Sequence, residues 1–149
     1  MAILSNTCKY AIRATIYLAL NGGDQQKIGI KKIAEDLEIP TPFLGKILQS
    51  LVKHKILSST KGPHGGFALG KDPSDISLLD IIDVIDGMDL FTECLIGLKS
   101  CSEYGHENVP CPIHNKFRPI SNQLYKLFKN ETIQSLTNEI NNSDGHIGI

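Results

Sequence analysis

The sequence has no uninterrupted apolar run approaching the roughly 20 residues that span a bilayer. Its opening, Met1-Ala2-Ile3-Leu4-Ser5-Asn6-Thr7, has neither a basic start nor a long apolar core, which argues against a secretory signal. It also lacks a CxxC pair, a nucleophile elbow, a phosphate-binding loop and an HExxH motif, so no enzyme activity is expected. Net charge is nearly absent, with 15 Lys and Arg against 16 Asp and Glu. At 149 residues, 41% hydrophobic and 21% charged, the chain is neither disordered nor fibrous. It suits one domain, or one small domain with an appendage. A cytoplasmic protein with no membrane partner is expected.

The balanced charge conceals an asymmetry. Residues 1–71 hold ten bases and four acids, a net +6, whereas residues 72–149 hold five bases and twelve acids, a net −7. Such a division suggests that only the first half meets a polyanion.

That half reads as a run of helices followed by a hairpin. Ser5, Asn6 and Thr7 offer N-cap side chains, and Asn21-Gly22-Gly23 stops the first helix. Cys8, Ala11, Ile12, Thr15, Leu18 and Ala19 form its apolar stripe, widened by Tyr10, Ala14 and Tyr17. A short helix is expected from about Ile30 to Leu37. After the turn Glu38-Ile39-Pro40, Thr41 as N-cap and Pro42 at the first helical position open another, running to about His54. Two short helices joined by a tight turn suggest a helix-turn-helix. The period then becomes extended: Ile56–Thr60 and Phe67–Leu69 flank the turn-rich Lys61-Gly62-Pro63-His64-Gly65-Gly66, a β-hairpin by composition. The fold class is therefore mainly α with a small β-hairpin wing, a winged helix-turn-helix.

A second helical set follows Asp72-Pro73-Ser74-Asp75. Ser77 caps Leu78 to Asp86, which ends at Gly87, and Asp80, Asp83 and Asp86 read as a solvated acidic face. Residues 93–114 have little apolar periodicity and read as a loop held by something other than a core. A long helix begins near Asn115 with Phe117, Ile120, Leu124, Leu127 and Phe128 on one side, suited to pairing with its own copy. The tail from Asn141 reads as frayed. The expected organisation is a DNA-binding domain (1–71), a linking helix with a cysteine-rich sensory loop (72–114), and a dimerisation helix with tail (115–149).

On the second helix of the helix-turn-helix, Thr41, Pro42, Phe43, Lys46, Gln49 and Ser50 are candidate DNA contacts. Thr and Gln can bond base edges, Phe can meet a thymine methyl group, and lysines suit phosphates. Gly45 within that helix costs roughly 1 kcal/mol relative to Ala, and close approach to a backbone or groove would account for it. In the wing, Lys61, Gly62, Pro63, His64 and Gly65 combine one cation with small residues able to enter a narrow groove. Cys94, Cys101 and Cys111 fall within eighteen positions, and Cys111-Pro112-Ile113-His114 adds an imidazole. Thiolates with a histidine suit an iron–sulfur cluster or zinc, and thiols without any metal are the third reading. Cys8 lies in phase with the first helix's stripe, as a buried residue or as a thiol reaching the cysteine loop.

Taken together, several segments carry a family likeness: Lys9-Tyr10-Ala11-Ile12-Arg13, Ile39-Pro40-x-x-Phe43-Leu44, Ser59 to Leu69, Leu78-x-x-Ile81-Ile82-x-x-Ile85-x-Gly87, and the three late cysteines. Over nearly its whole length the chain resembles the IscR/NsrR/CymR family of bacterial winged-helix repressors. The resemblance implies a homodimer with two winged-helix heads and a crossed pair of C-terminal helices, bound to palindromic double-stranded DNA. It implies a 2Fe–2S or 4Fe–4S cluster on Cys94, Cys101 and Cys111, reading nitric oxide, oxygen or cluster supply. His114 is the fourth ligand in this reading, with His106 and Cys8 as alternatives. A cluster-free member would instead respond through thiols or a partner protein. The family's wing commonly carries Arg where this chain has Lys61, and a polar residue is common where it has Gly45.

Overall fold

A computed structural model describes residues 3–23, 26–98 and 111–143. In chain order the helices are α1 (Asn6–Asn21), α2 (Ile30–Leu37), α3 (Thr41–Lys53), α4 (Leu78–Ile85), α5 (Asp89–Thr92), α6 (His114–Asn130) and α7 (Ile133–Asn142). Strands β1 (Leu57–Thr60) and β2 (Gly66–Leu69) lie between α3 and α4. They pair antiparallel, with Leu57 opposite Leu69 and Thr60 opposite Gly66. The architecture is mainly helical with one hairpin, as the periodicities indicate.

The helix α1 is the hub. The hydroxyl of Ser5 accepts from the Cys8 amide at 3.0 Å and caps it, and Gly22 closes it. Ala11 and Ala14 are fully buried, and such small side chains let neighbouring helices come close. Packed against α1 are α3, α4, α7 and β2. The main core joins Leu18 to Ile33 of α2, to Leu44, Leu48 and Leu51 of α3, and to Ile81, Ile133 and the hairpin's Phe67. A second core gathers Cys8, Leu79, Ile82, Phe91 and Phe128. There the Phe91 ring meets Tyr125 and Phe128 edge-on, at 5.4 and 6.2 Å between centroids.

The structure departs from the sequence reading in four places. First, Pro40 rather than Thr41 caps α3, because its carbonyl already accepts from the Leu44 amide at 3.0 Å. Second, Ile28 pairs with Phe67 through both backbone bonds (2.9 and 2.8 Å), which fastens the loop before α2 to the hairpin. Third, the acidic face is only partly solvated. Asp80 closes a capping box with Ser77 at 3.0 and 3.1 Å. Asp86 accepts from both the amide and the hydroxyl of Ser5, joining the end of α4 to the start of α1. Fourth, a second helix follows the long one: Thr132 opens α7 with its own capping box, and Ile133 and Ile140 are buried in the main core, whereas residues 144–149 of the expected tail lie outside the described residues. A bridge between Ser77 and Thr132 aligns the starts of α4 and α7 side by side.

Candidate functional site

The helix α3 turns Leu44, Ile47, Leu48 and Leu51 inward. This leaves Thr41, Pro42, Phe43, Lys46 and Gln49 exposed, with Ser50 half-buried. Phe43 is 57% exposed, a large aromatic with no intramolecular use for most of its surface. Behind it lies an apolar recess of about 200 Å³ between α1 and α3, lined by Thr7, Pro42, Phe43, Lys46 and Ile47. The Ser50 hydroxyl donates to the Lys46 carbonyl at 3.1 Å, so in this state it is turned to its own helix.

The wing tip is built by backbone constraints. Gly62 has φ +106°, and the Gly65 amide donates to its carbonyl at 3.0 Å. At the tip Lys61, Gly62, Pro63 and His64 are exposed, and Gly65 is half-buried. A Cβ on Gly65 would overlap the Thr60 carbonyl, and one on Gly66 (φ +151°) would overlap the Ile28 carbonyl. Only glycine fits either position. Two lysines missed by the sequence reading also belong to this region. Lys27 donates to the Ser58 hydroxyl at 2.6 Å, so a cation ties the loop before α2 to β1. Lys55 is exposed and adopts φ +63° at the bend between α3 and β1. Sequence gave no signal for Lys27, since its partner lies 31 residues away.

The cysteines separate into two environments. Cys8 is fully buried among Leu79, Ile82, Phe91 and Phe128. Burial, reinforced by the nearby Asp86 carboxylate, pushes its thiol up to about 12, so it stays protonated at neutral pH. Its complete burial among apolar side chains fits the packing reading of Cys8. Cys94 is buried just after α5, and its Sγ accepts from the Gly97 amide at 3.3 Å. Cys111 is half-buried, and its carbonyl accepts from the His114 amide at 2.9 Å. His114 is the first residue of α6, so Cys111 lies just before that helix. Cys101 and His106 lie outside the described residues. Among the described residues no three ligating side chains converge. Two thiols, with a histidine three residues after the second, are nonetheless donor types that suit an iron–sulfur or zinc site.

The far side of α6 presents a different surface. Ile113, Phe117, Ile120, Leu124 and Leu127 recur at alternating steps of four and three, the spacing of a coiled-coil seam. Ile120 is 54% exposed and Leu127 51% exposed. Beside that seam, Arg118 donates to the Phe91 carbonyl at 2.6 Å and Ser121 is buried. Phe128, expected from its spacing on the pairing side, is instead buried in the second core with Leu124 packed against it. The helix thus joins α5 and the second core, on which Leu124 packs, while Ile120 and Leu127 leave the outer part of the stripe open.

A helix-turn-helix whose second helix leaves polar, basic and aromatic side chains outside, followed by a hairpin with a basic tip, defines a winged-helix DNA-binding protein. Comparison with known proteins makes this specific. Residues 4–139 match the Rrf2 family, described as an iron-dependent transcriptional regulator. The chain is 38% identical over 136 residues to an HTH-type transcriptional regulator of Aquifex aeolicus, covering 91% of this chain and 92% of that one. It is 30% identical over 135 residues to the HTH-type transcriptional regulator IscR of Escherichia coli O1:K1, covering 91% and 80%. Its fold is similar to that of CymR, the global cysteine regulator of B. subtilis, with TM-score 0.76 and 20% identity, over 93% of this chain and 98% of that one. The chain belongs to the Rrf2 family and is a transcriptional regulator, not an enzyme. Among the described residues no helix is long and apolar enough to cross a membrane.

Proposed function

We propose that this regulator is a cytoplasmic homodimeric repressor whose affinity for a palindromic operator is set by its cysteine site. In this reading Thr41, Pro42, Phe43, Lys46, Gln49 and Ser50 enter the major groove. The wing from Lys61 to Gly65 meets the adjacent minor groove. Lys46 and Lys61 supply phosphate attraction, which makes binding strongly salt-dependent. Cys94, Cys101, Cys111 and His114 would hold an iron–sulfur cluster, which would supply sensitivity to redox state, nitric oxide or cluster supply.

One observation carries the link between sensing and binding: His114, beside Cys111, is the first residue of the helix that bears the open apolar stripe. A change in how Cys111 and His114 are held acts at the start of that helix. Arg118, one turn on, ties the same helix to the segment leading into Cys94. The stripe would pair with its copy, so movement of α6 alters the separation of two recognition helices. Half-sites lie about one DNA turn apart, so such a change alters affinity.

The test uses wild type and the Cys94→Ala, Cys101→Ala and Cys111→Ala proteins, purified anaerobically. Their affinities are measured at one salt concentration for a duplex that wild type enriches from a random library. A difference from wild type of about 5- to 150-fold is expected, the usual size of coupling between sites. Equal affinity across all four proteins would remove the sensory role.

A further inference from the structure

We infer that Gly45 is a specificity-determining notch in α3, kept free of a side chain so that a base-edge group of the bound duplex can approach the helix backbone. This rests on the DNA-contacting role proposed for α3.

The glycine sits in the interior of a 13-residue helix, where glycine is the least favourable residue after proline. Nothing among the described residues explains it. A Cβ placed there would meet only Cδ1 of Ile30, at 3.5 Å, an ordinary van der Waals contact. Packing of α2 on α3 therefore does not demand glycine. Nor does the backbone, since the positive-φ glycines are Gly62, Gly66 and Gly87. Gly65 and Gly70 differ again, because a Cβ on either would run into neighbouring backbone. Gly45 is thus a helix-weakening residue with room for a side chain on its own helix surface.

Its surroundings say what fills that room. One turn before it lie Thr41 and Pro42, and one turn after it lies Gln49, all exposed. Lys46, the next residue along the chain, is exposed as well. The missing side chain falls among the residues best placed to enter a groove. A base-edge group, such as a thymine methyl, can reach closer to α3 there than at any neighbouring position. The same space would exclude a longer group at that base pair once a side chain occupied it.

The experiment compares wild type with Gly45→Ala and Gly45→Ser. Each protein is melted, and each is used to enrich duplexes from a random-core DNA library. Gly45→Ala is expected to melt about 2–5 °C higher, because alanine favours the helix. Its affinity for the wild-type-selected duplex should fall about tenfold, with Gly45→Ser no tighter. The duplexes it selects should differ from the wild-type set at one base pair per half-site. Equal or tighter binding of the wild-type duplex by Gly45→Ala would overturn the inference, as would a loss that is uniform across sequences. If wild type itself enriches no duplex, the DNA-contacting role of α3 fails, and this inference with it.

Discussion

Replacing Gly65 by alanine should unseat the wing and cost about 2–3 kcal/mol of stability. The new Cβ would be driven into the Thr60 carbonyl, with the Lys61 backbone close behind it, and backbone cannot yield as a flexible side chain can. The turn closed by the Gly65 amide on the Gly62 carbonyl must open, which moves Lys61 and His64 at the tip. Gly66→Ala attacks the same element from the other side. Its Cβ would strike the Ile28 carbonyl, in the bridge that fastens Ile28 to Phe67. Thermal melts would report the stability, and affinity for a wild-type-selected duplex would report the wing. Binding should weaken by about tenfold or more, with a shallower salt dependence as the Lys61 contact is lost. Gly23→Ala is the control, since a Cβ there meets nothing within 4 Å. A Gly65→Ala protein with wild-type melting and affinity would mean that the wing has no role.

The second large effect concerns the open stripe on α6. Ile120→Glu together with Leu127→Glu should convert a dimer to a monomer while leaving the fold of each chain intact. Both positions are more than half exposed, so neither glutamate is forced into the core. Exposed substitutions of this kind change monomer stability by only about 0.5 kcal/mol. In a paired seam, however, each would bury a charge opposite its own copy. Analytical ultracentrifugation should show the mass halved, and circular dichroism should show unchanged helix content. Affinity for a palindromic duplex should drop by about 100-fold or more, because two linked heads bind far more tightly than one. A double variant that sediments as wild type would place any dimer contact elsewhere.

Much of residues 1–71 was legible because the signals there are local. Cap, period and stop residues marked α1, α2 and α3, and the glycine-rich turn marked the hairpin. The strand pairing of Ile28 was not legible, since a bridge that short leaves no alternation to read. α7 was hidden for another reason. Neither glycine nor proline separates Asn130 from Ile133, so its period merges with that of α6; the break is made by the Thr132–Ser135 capping box. The roles of Asp80 and Asp86 show the same boundary. Asp80 bonds three residues away and was readable in principle, whereas Asp86 bonds Ser5 across 81 residues. The exposed set on α3 could be named from its helical period, because an amphipathic helix presents what its core side does not use. The cysteine site was nameable only as a donor set. Cys94 and Cys111 reach their positions through α5 and α6, and the packing of α5 on α6 is a tertiary fact.

The proposed control of operator binding by a cysteine-held cluster requires that this Rrf2-family regulator carry one. Iron, acid-labile sulfide and zinc content of anaerobically purified wild-type protein, read with its visible spectrum, test that claim most directly. The account predicts iron and sulfide in near-equal amounts with visible absorption, lost in the Cys94→Ala, Cys101→Ala and Cys111→Ala proteins. Zinc alone, or metal-free protein that still binds its palindrome, would contradict it.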